Sequence, residues 1–390
     1  MRKLLANRGF LILWFGLLLG GSGQELYNLL PKHFELQGFA PETVGFIMSF
    51  TGSGGLVVLP LLALFIDRFE KRRILIAVLC AHALAPLFYL IPIEPRFLYF
   101  LPRLLQGMQI SIMMITFTAL LSYVVAPERR AQGYAVFGVM GQLGLFLGVN
   151  LGELVYDARG LPAAYLLSLL FFVSAILVLR GLREPEESRG TQLSLKEGFR
   201  EILRKPGIIS TFFRITLLGF GFGFLLAFVP KIALTGGLER VAPFYVGYPL
   251  SVIAVRLTGS AFFDRLPRNL VLFPPLIVLP LVFLIAVGLA SPFELALIGV
   301  LYGIAHGILF PMLMSFLMNS SSPAFRGRAS VVFHLFFSGG MFLAANAGGL
   351  LIGISLPFAL YLSALITAGG LLPFAVAPLR GAARLIRGRK

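Results

Sequence analysis

The chain is short of charge. Asp, Glu, Lys and Arg make up 13% of its 390 residues, against about 25% in soluble domains, and 58% of it is hydrophobic. That excludes both an ordinary globular enzyme and a disordered chain. It has one cysteine, Cys80, inside an apolar run, so neither a disulfide framework nor a cysteine metal site is available. No Walker sequence, no H-E-x-x-H, no G-x-S-x-G and no Cys/His cluster occurs. ATP is thereby excluded as the energy source, and a membrane hydrolase or metalloprotease would lack its chemistry. No enzyme activity, metal or cofactor is expected. Acids are also scarce, 17 against 33 bases, but the bases sit in short clusters between apolar runs. The basic helix or aromatic-interleaved patch that nucleic acid requires is missing. With a mean hydropathy of +0.90, the remaining class is a polytopic membrane protein.

A helix needs about 20 mostly apolar residues to cross the hydrocarbon core. Twelve such runs are present, at 8–32, 41–66, 73–92, 96–125, 131–155, 161–180, 207–231, 241–263, 270–290, 293–318, 329–353 and 356–378. The first shows no cleavage site before the second and reads as a retained helix. Lys and Arg counts orient the chain. With the N-terminus in the cytoplasm, 25 of the 33 bases fall on the cytoplasmic side and five (Lys32, Arg96, Arg159, Lys231 and Arg240) on the outer side. Both termini are therefore expected to be cytoplasmic. The polar stretch 181–206 separates six spans from six, which divides the chain into bundles 1–180 and 207–390 around a cytoplasmic linker. Within the linker, SLKEGFREIL suits a short amphipathic helix on the membrane surface.

The two halves repeat. LFIDRFEKRR (64–73) follows span 2 and FFDRLPRN (262–269) follows span 8, with Asp67 and Asp264 197 residues apart. PERRAQGYAVFG (127–138) matches PAFRGRASVVFH (323–334), and Pro127/Pro323, Arg130/Arg326, Asn150/Asn346 and Gly152/Gly348 all keep an offset of 196. Two six-span halves with Asp-Arg motifs after spans 2 and 8 resemble the major facilitator superfamily over essentially the whole chain. That family's loop signature, G-x-L-a-D-R-x-G-R-R, is met by Asp67, Arg68, Lys71 and Arg72, with both glycines replaced. Its span-4 signature R-x-x-Q-G is intact as Arg103, Gln106 and Gly107. The antiporter motif of span 5 appears as Gly144, Gly148 and Gly152, without its proline and last glycine.

The resemblance implies an all-α membrane protein, two pseudo-symmetric six-helix bundles rocking about a substrate site near mid-membrane. It further implies a monomeric secondary transporter in a plasma membrane, specifically a bacterial inner membrane, with a small molecule, protons and the lipid bilayer as partners. The clusters Asp67, Arg68, Arg72, Arg130 and Asp264, Arg265, Arg326 then read as gating residues that latch the cytoplasmic side. In the resembled family, the arginine at Arg103 is associated with proton coupling.

An ionisable residue inside a span is a functional candidate by default. Glu25 is the one acid placed well inside a span, on a polar stripe Ser22–Glu25–Asn28–Lys32 at spacings of three and four. Burial disfavours the charged form of a carboxylate, which suits Glu25 to proton exchange, with Arg103 setting its affinity or pairing with a substrate anion. Glu153, near the outer end of span 5, reads either as a second candidate or as a solvated partner of Asp157. Asn28, Gln106, Arg214, Arg256, Tyr302, His306 and Phe310 are the substrate-binding candidates. Tyr302, His306 and Phe310 share one helix face at spacings of four. Arg214 and Arg256 lie deep in spans 7 and 8 without a nearby acid and want counter-charges. Tyr27, Phe220 and Phe224 fall on spans expected to line the cleft, and His82 and His334 read as packing residues. The leading reading is proton-coupled export of a small amphipathic compound, a drug or metabolite. The alternative is transport of an organic anion or anionic lipid, with Arg214 and Arg256 binding the head group.

Overall fold

The computed structural model describes residues 6–65, 69–125, 130–183, 203–205, 207–263, 266–320 and 326–374. Regular structure among them is helical: α1 (Arg8–Leu36), α2 (Pro41–Phe65), α3 (Lys71–Leu90), α4 (Phe100–Val124), a continuous run Arg130–Leu179 holding α5 and α6, α7 (Ile208–Thr235), α8 (Ala242–Phe263), α9 (Arg268–Ala286), α10 (Pro292–Asn319), α11 (Arg326–Ile354) and α12 (Leu356–Ala368). Among the described residues, ten helices are long and apolar enough to cross a membrane, with 136–179 counted once and α8 outside the set.

The sequence separates spans 5 and 6 by a loop at 156–160. Instead the helix reverses at one residue, Gly160, whose φ of +76° ends α5 at 159 and starts α6 at 161. A left-handed backbone of that kind carries little cost only without a Cβ, and Pro162 opens the next helix with its φ already fixed. Dividing the run there and adding α8 gives a helix set that fits the twelve expected crossings.

Helix ends are secured by specific side chains. Asn7 accepts from Phe10 N at 3.1 Å and donates to the Val124 carbonyl at 3.0 Å, so the cap of α1 also ties it to the end of α4. Ser291 and Glu294 form a reciprocal capping box on α10. α1 is not uniform: a 3₁₀ turn, Leu26–Leu29, separates Arg8–Glu25 from Leu30–Leu36. Such a tightened turn inside a long helix is a common mark of a functional hinge.

Packing follows the sequence repeat. α1 lies on α5 and α6 as α7 lies on α11, and α2 lies on α4 as α8 lies on α10. The halves meet at α2 with α11 and at α5 with α8, a pair of joints that exchange under the same pseudo-symmetry. Without a hydrophobic drive between helices in lipid, such joints depend on close van der Waals approach at small residues. At α2–α11 the approach is backbone to backbone: a Cβ on Gly45 would fall against the Ala345 carbonyl and Gly349.

Candidate functional site

Glu25 sits at the C-terminal end of the first segment of α1, where the 3₁₀ turn begins. The turn brings Asn28 back onto it, so that Asn28 Nδ2 donates to Glu25 Oε2. Glu25 remains half-buried, and Arg103 on α4 lies within Coulombic range of its carboxylate. The glycine series of α5 makes this placement possible. Gly144, Gly148 and Gly152 all face α1, and a Cβ on Gly148 would strike the Ser22 carbonyl and press on Glu25 Cβ. The expected polar stripe on α1 is divided. The Ser22 hydroxyl donates to its own helix at Leu18 O, 2.7 Å, while Lys32 turns to other partners.

Behind Glu25, α1, α3, α4 and α6 enclose a polar group. Arg103 donates through Nη1 to Gln106 Oε1, which also accepts from Tyr89 Oη at 3.5 Å. Tyr27 Oη donates to the His82 carbonyl at 3.1 Å. The rings of Tyr27, Tyr89 and Tyr165 stand 5.7–6.2 Å apart, with His82 5.4 Å from Tyr27. Arg103, Gln106, His82 and Tyr165 are all buried.

Across the seam the second half presents aromatic rings. Tyr248 on α8 joins His306 Nδ1 on α10 at 2.6 Å. His306 lies parallel to Tyr248, Tyr302 and Phe337, with Phe310 edge-on at 5.3 Å. The Glu25 carboxylate is close enough to act electrostatically on the hydroxyls of Tyr245 and Tyr248. Asn150 on α5 donates to the Tyr245 carbonyl at 3.2 Å, bridging the halves. The structure thus brings together Glu25, Asn28, Arg103 and Gln106 on one side, and Tyr302, His306 and Phe310 on the other. Phe224 packs on Phe228 and Phe283, inside the second half.

The two deep arginines behave differently from this group. Arg214 Nε donates to Gly370 O at 3.1 Å and its guanidinium lies 4.5 Å over Phe374, both beyond the end of α12. Arg256 reaches across the seam to Gly138 O on α5, at 3.3 Å. Each meets a carbonyl in place of a carboxylate.

On the face opposite the N-terminus, ion pairs and charge-assisted hydrogen bonds join the two halves. Lys32 is 3% exposed and Glu153 1% exposed; Lys32 Nζ lies 2.7 Å from Glu153 and 2.9 Å from Asp157. Glu153 Oε1 and Oε2 also accept from Val241 N and Ala242 N, both at 2.8 Å. A carboxylate of the first half therefore satisfies the orphan donors at the N-terminus of α8 in the second half, where the helix dipole favours negative charge. Glu35 and Lys231 pair across the same face at 3.0 Å. Lys32, counted from the sequence as an outer-loop residue, is instead inside a helix that runs on to Leu36, and Glu153 is buried rather than solvated. Nothing local in the sequence signals these contacts, because each partner is about 80 to 200 residues away. Tyr245 and Tyr248, with Phe244, form an aromatic face on span 8 that is missing from the sequence-derived candidates, and its helical spacing of three and four is the signal for it.

Of the residues expected to gate the N-terminal face, Asp67, Arg68, Asp264 and Arg265 lie outside the described residues, as does most of the linker 181–206; Arg130 and Arg326 begin described helices, but their side chains are not described. Arg72 bonds to Glu70 at 3.2 Å and to Leu182 O at 2.9 Å, which ties α3 to the end of α6.

Comparison with known proteins agrees with this architecture. A protein of Cronobacter sakazakii named for multidrug resistance, MdtD, is 28% identical over 163 residues, which is 40% of this chain and 34% of that protein; the chain thus matches about a third of that relative's length. Among solved structures, the human organic anion transporter MFSD10 superposes with a TM-score of 0.71 at 19% identity, over 94% of this chain and 98% of that one. The nucleoside transporter NupG gives 0.76 at 17% identity, over 95% and 98%, and the peptide transporter POT gives 0.76 at 14%, over 95% and 94%. At such identities the structures share the fold alone. The Major Facilitator Superfamily model matches residues 10–345, and the chain belongs to that family of transporters.

Proposed function

We propose that this transporter is a carrier, not an enzyme, that exports a small amphipathic compound, a drug or metabolite, in exchange for protons by alternating access. It would reside in a bacterial inner membrane as a monomer, with both termini cytoplasmic and the bundles 1–180 and 207–390 joined by the linker 181–206. Glu25 takes a proton when the site faces outward and releases it inward. Arg103, held by Gln106, supplies the positive charge that balances the ionised carboxylate. Asn28 on one side, and Tyr302, His306 and Phe310 on the other, bind the substrate. The ion cluster at Lys32, Glu153 and the start of α8 closes the outer face, and the Asp67 and Asp264 clusters close the inner one.

One observation carries this reading. Glu25 is a half-buried carboxylate at a break in α1, with a buried arginine on one side and the aromatic wall of the other half on its other side. Its charge can be balanced when ionised and removed when protonated. The relative named for multidrug resistance supports export. The test is flux into and out of proteoliposomes, with ethidium as a lipophilic cation and benzoate as an organic anion. Glu25→Gln is expected to abolish acceleration by a pH gradient while leaving gradient-free exchange. Gradient acceleration equal to wild type in that variant would overturn the proposal.

A further inference from the structure

Buried polar groups in a folded protein are satisfied, and each orphan asks for an explanation. Among the described residues, the group enclosed by α1, α3, α4 and α6 holds five orphan atoms: Arg103 Nε, Gln106 Nε2, Tyr165 Oη and both ring nitrogens of His82. Four of the five can donate. Arg103 Nε is an obligate donor. Gln106 must offer its amide nitrogen, because its oxygen already accepts from Arg103 and Tyr89. Tyr165 Oη can donate or accept, and a neutral imidazole supplies one N–H and one acceptor nitrogen. Gln106 Oε1 and the His82 carbonyl are already in use; the acceptors left are neutral ones, the phenol oxygens and the second ring nitrogen of His82. What Arg103 lacks among the described residues, apart from Glu25, is an anionic partner.

We infer that the Arg103–Gln106–Tyr165–His82 enclosure is a binding site for a small monovalent anion such as chloride. Arg103, Gln106, His82 and Tyr165 are each 4% exposed or less, so the group is shielded from bulk solvent, and the substrate of the proposed function stays in the cleft on the other side of Glu25. The site is linked to that carboxylate by charge. While Glu25 is ionised it balances Arg103; once it takes a proton, a buried guanidinium has no counter-ion, which is costly. The anion then replaces the lost charge, so proton and anion bind cooperatively. The other groups around Glu25 are Tyr27 and Lys32 on α1, His82 and Tyr89 on α3, Glu153 on α5, Tyr165 on α6, and Tyr245, Tyr248 and Arg256 on α8. Lys32 and Glu153 neutralise one another at 2.7 Å, and the phenols stay neutral at the pH values used below.

The test is equilibrium dialysis of purified protein with radiolabelled chloride in a gluconate buffer. Wild type should bind about one chloride per chain, at least about tenfold more tightly near pH 5.5 than near pH 8.5. Glu25→Gln should bind chloride with the tighter affinity at both pH values. Arg103→Lys keeps a charge but loses the Nε donor, and should weaken binding about tenfold, while Gln106→Leu should weaken it too. If an arginine variant fails to fold, the Glu25→Gln arm still decides. No saturable binding, or binding that these variants leave unchanged, would overturn the inference and leave water as the occupant. Chloride that binds as described, in a protein whose Glu25→Gln variant retains gradient-driven flux, would leave this site standing and refute the proton-coupled function alone.

Discussion

Removing the Glu153 carboxylate should open the face opposite the N-terminus. In the structure this side chain holds Lys32 at 2.7 Å and two backbone N–H groups of α8 at 2.8 Å, while 1% exposed. Were the halves to part on this face, all three donors would meet water, so the open state would lose almost nothing by the change. Breaking a buried ion pair by deleting one partner costs about 3–5 kcal/mol, and losing a helix N-cap about 0.5–2 kcal/mol. Asp157 remains 2.9 Å from Lys32 and absorbs part of the loss, so about 2–4 kcal/mol is expected for Glu153→Ala. At about 1.4 kcal/mol per factor of ten, the closed-to-open ratio falls about 30- to 1,000-fold. Glu153→Gln keeps one acceptor and should lie between. The assay is pulsed electron-electron resonance between spin labels at Leu36→Cys and Glu239→Cys, with Cys80→Ser removing the native thiol. The expected result is a longer-distance population that grows from wild type to the glutamine and then the alanine variant. An unchanged distribution in Glu153→Ala would refute the reasoning, as would equal effects of the two substitutions.

Other consequences concern packing and the aromatic wall. Gly148→Ala places a methyl on the Ser22 carbonyl and should lower thermal stability by about 1–3 kcal/mol, whereas Gly141→Ala, with nothing within 4 Å, should melt as wild type does in the same detergent. Tyr248→Phe leaves His306 Nδ1 buried without its 2.6 Å partner and should cost about 1–3 kcal/mol in a denaturant titration. Arg214→Met should lower the melting temperature by freeing the chain after α12, because its contacts are Gly370 O and Phe374, and should leave benzoate affinity unchanged. Loss of benzoate affinity at undiminished stability would show instead that Arg214 holds a head group.

Much of the fold was legible because membrane helices announce themselves locally. Apolar runs of spanning length and the offset of 196 between Asn150 and Asn346 needed no tertiary knowledge, and the pairing of α1 with α5 and of α7 with α11 repeats that offset in space. Glycine spacing on α5 was legible as a motif, and its reason appears only in three dimensions, where Gly148 admits the backbone of α1 beside Glu25. The site was half legible. An acid within an apolar span is expensive enough to stand out, and so is an arginine such as Arg103. Glu153 is ambiguous in the sequence, a second candidate or a solvated partner of Asp157, since a carboxylate near a helix end is ordinarily solvated; its burial depends on the start of α8, 88 residues away. The short turn at Gly160 is not legible as such, because Pro162 and Gly160 punctuate a loop and a tight reversal alike.

The most direct test of the central claim records proton movement itself. Proteoliposomes carrying a trapped pH-sensitive dye are loaded with ethidium, and internal pH is followed as the compound leaves under an imposed gradient. Wild type should show saturable proton entry that tracks ethidium loss, and Glu25→Gln should show neither. Ethidium leaving without protons, or proton entry undiminished in Glu25→Gln, would contradict the assignment of Glu25 as the coupling group.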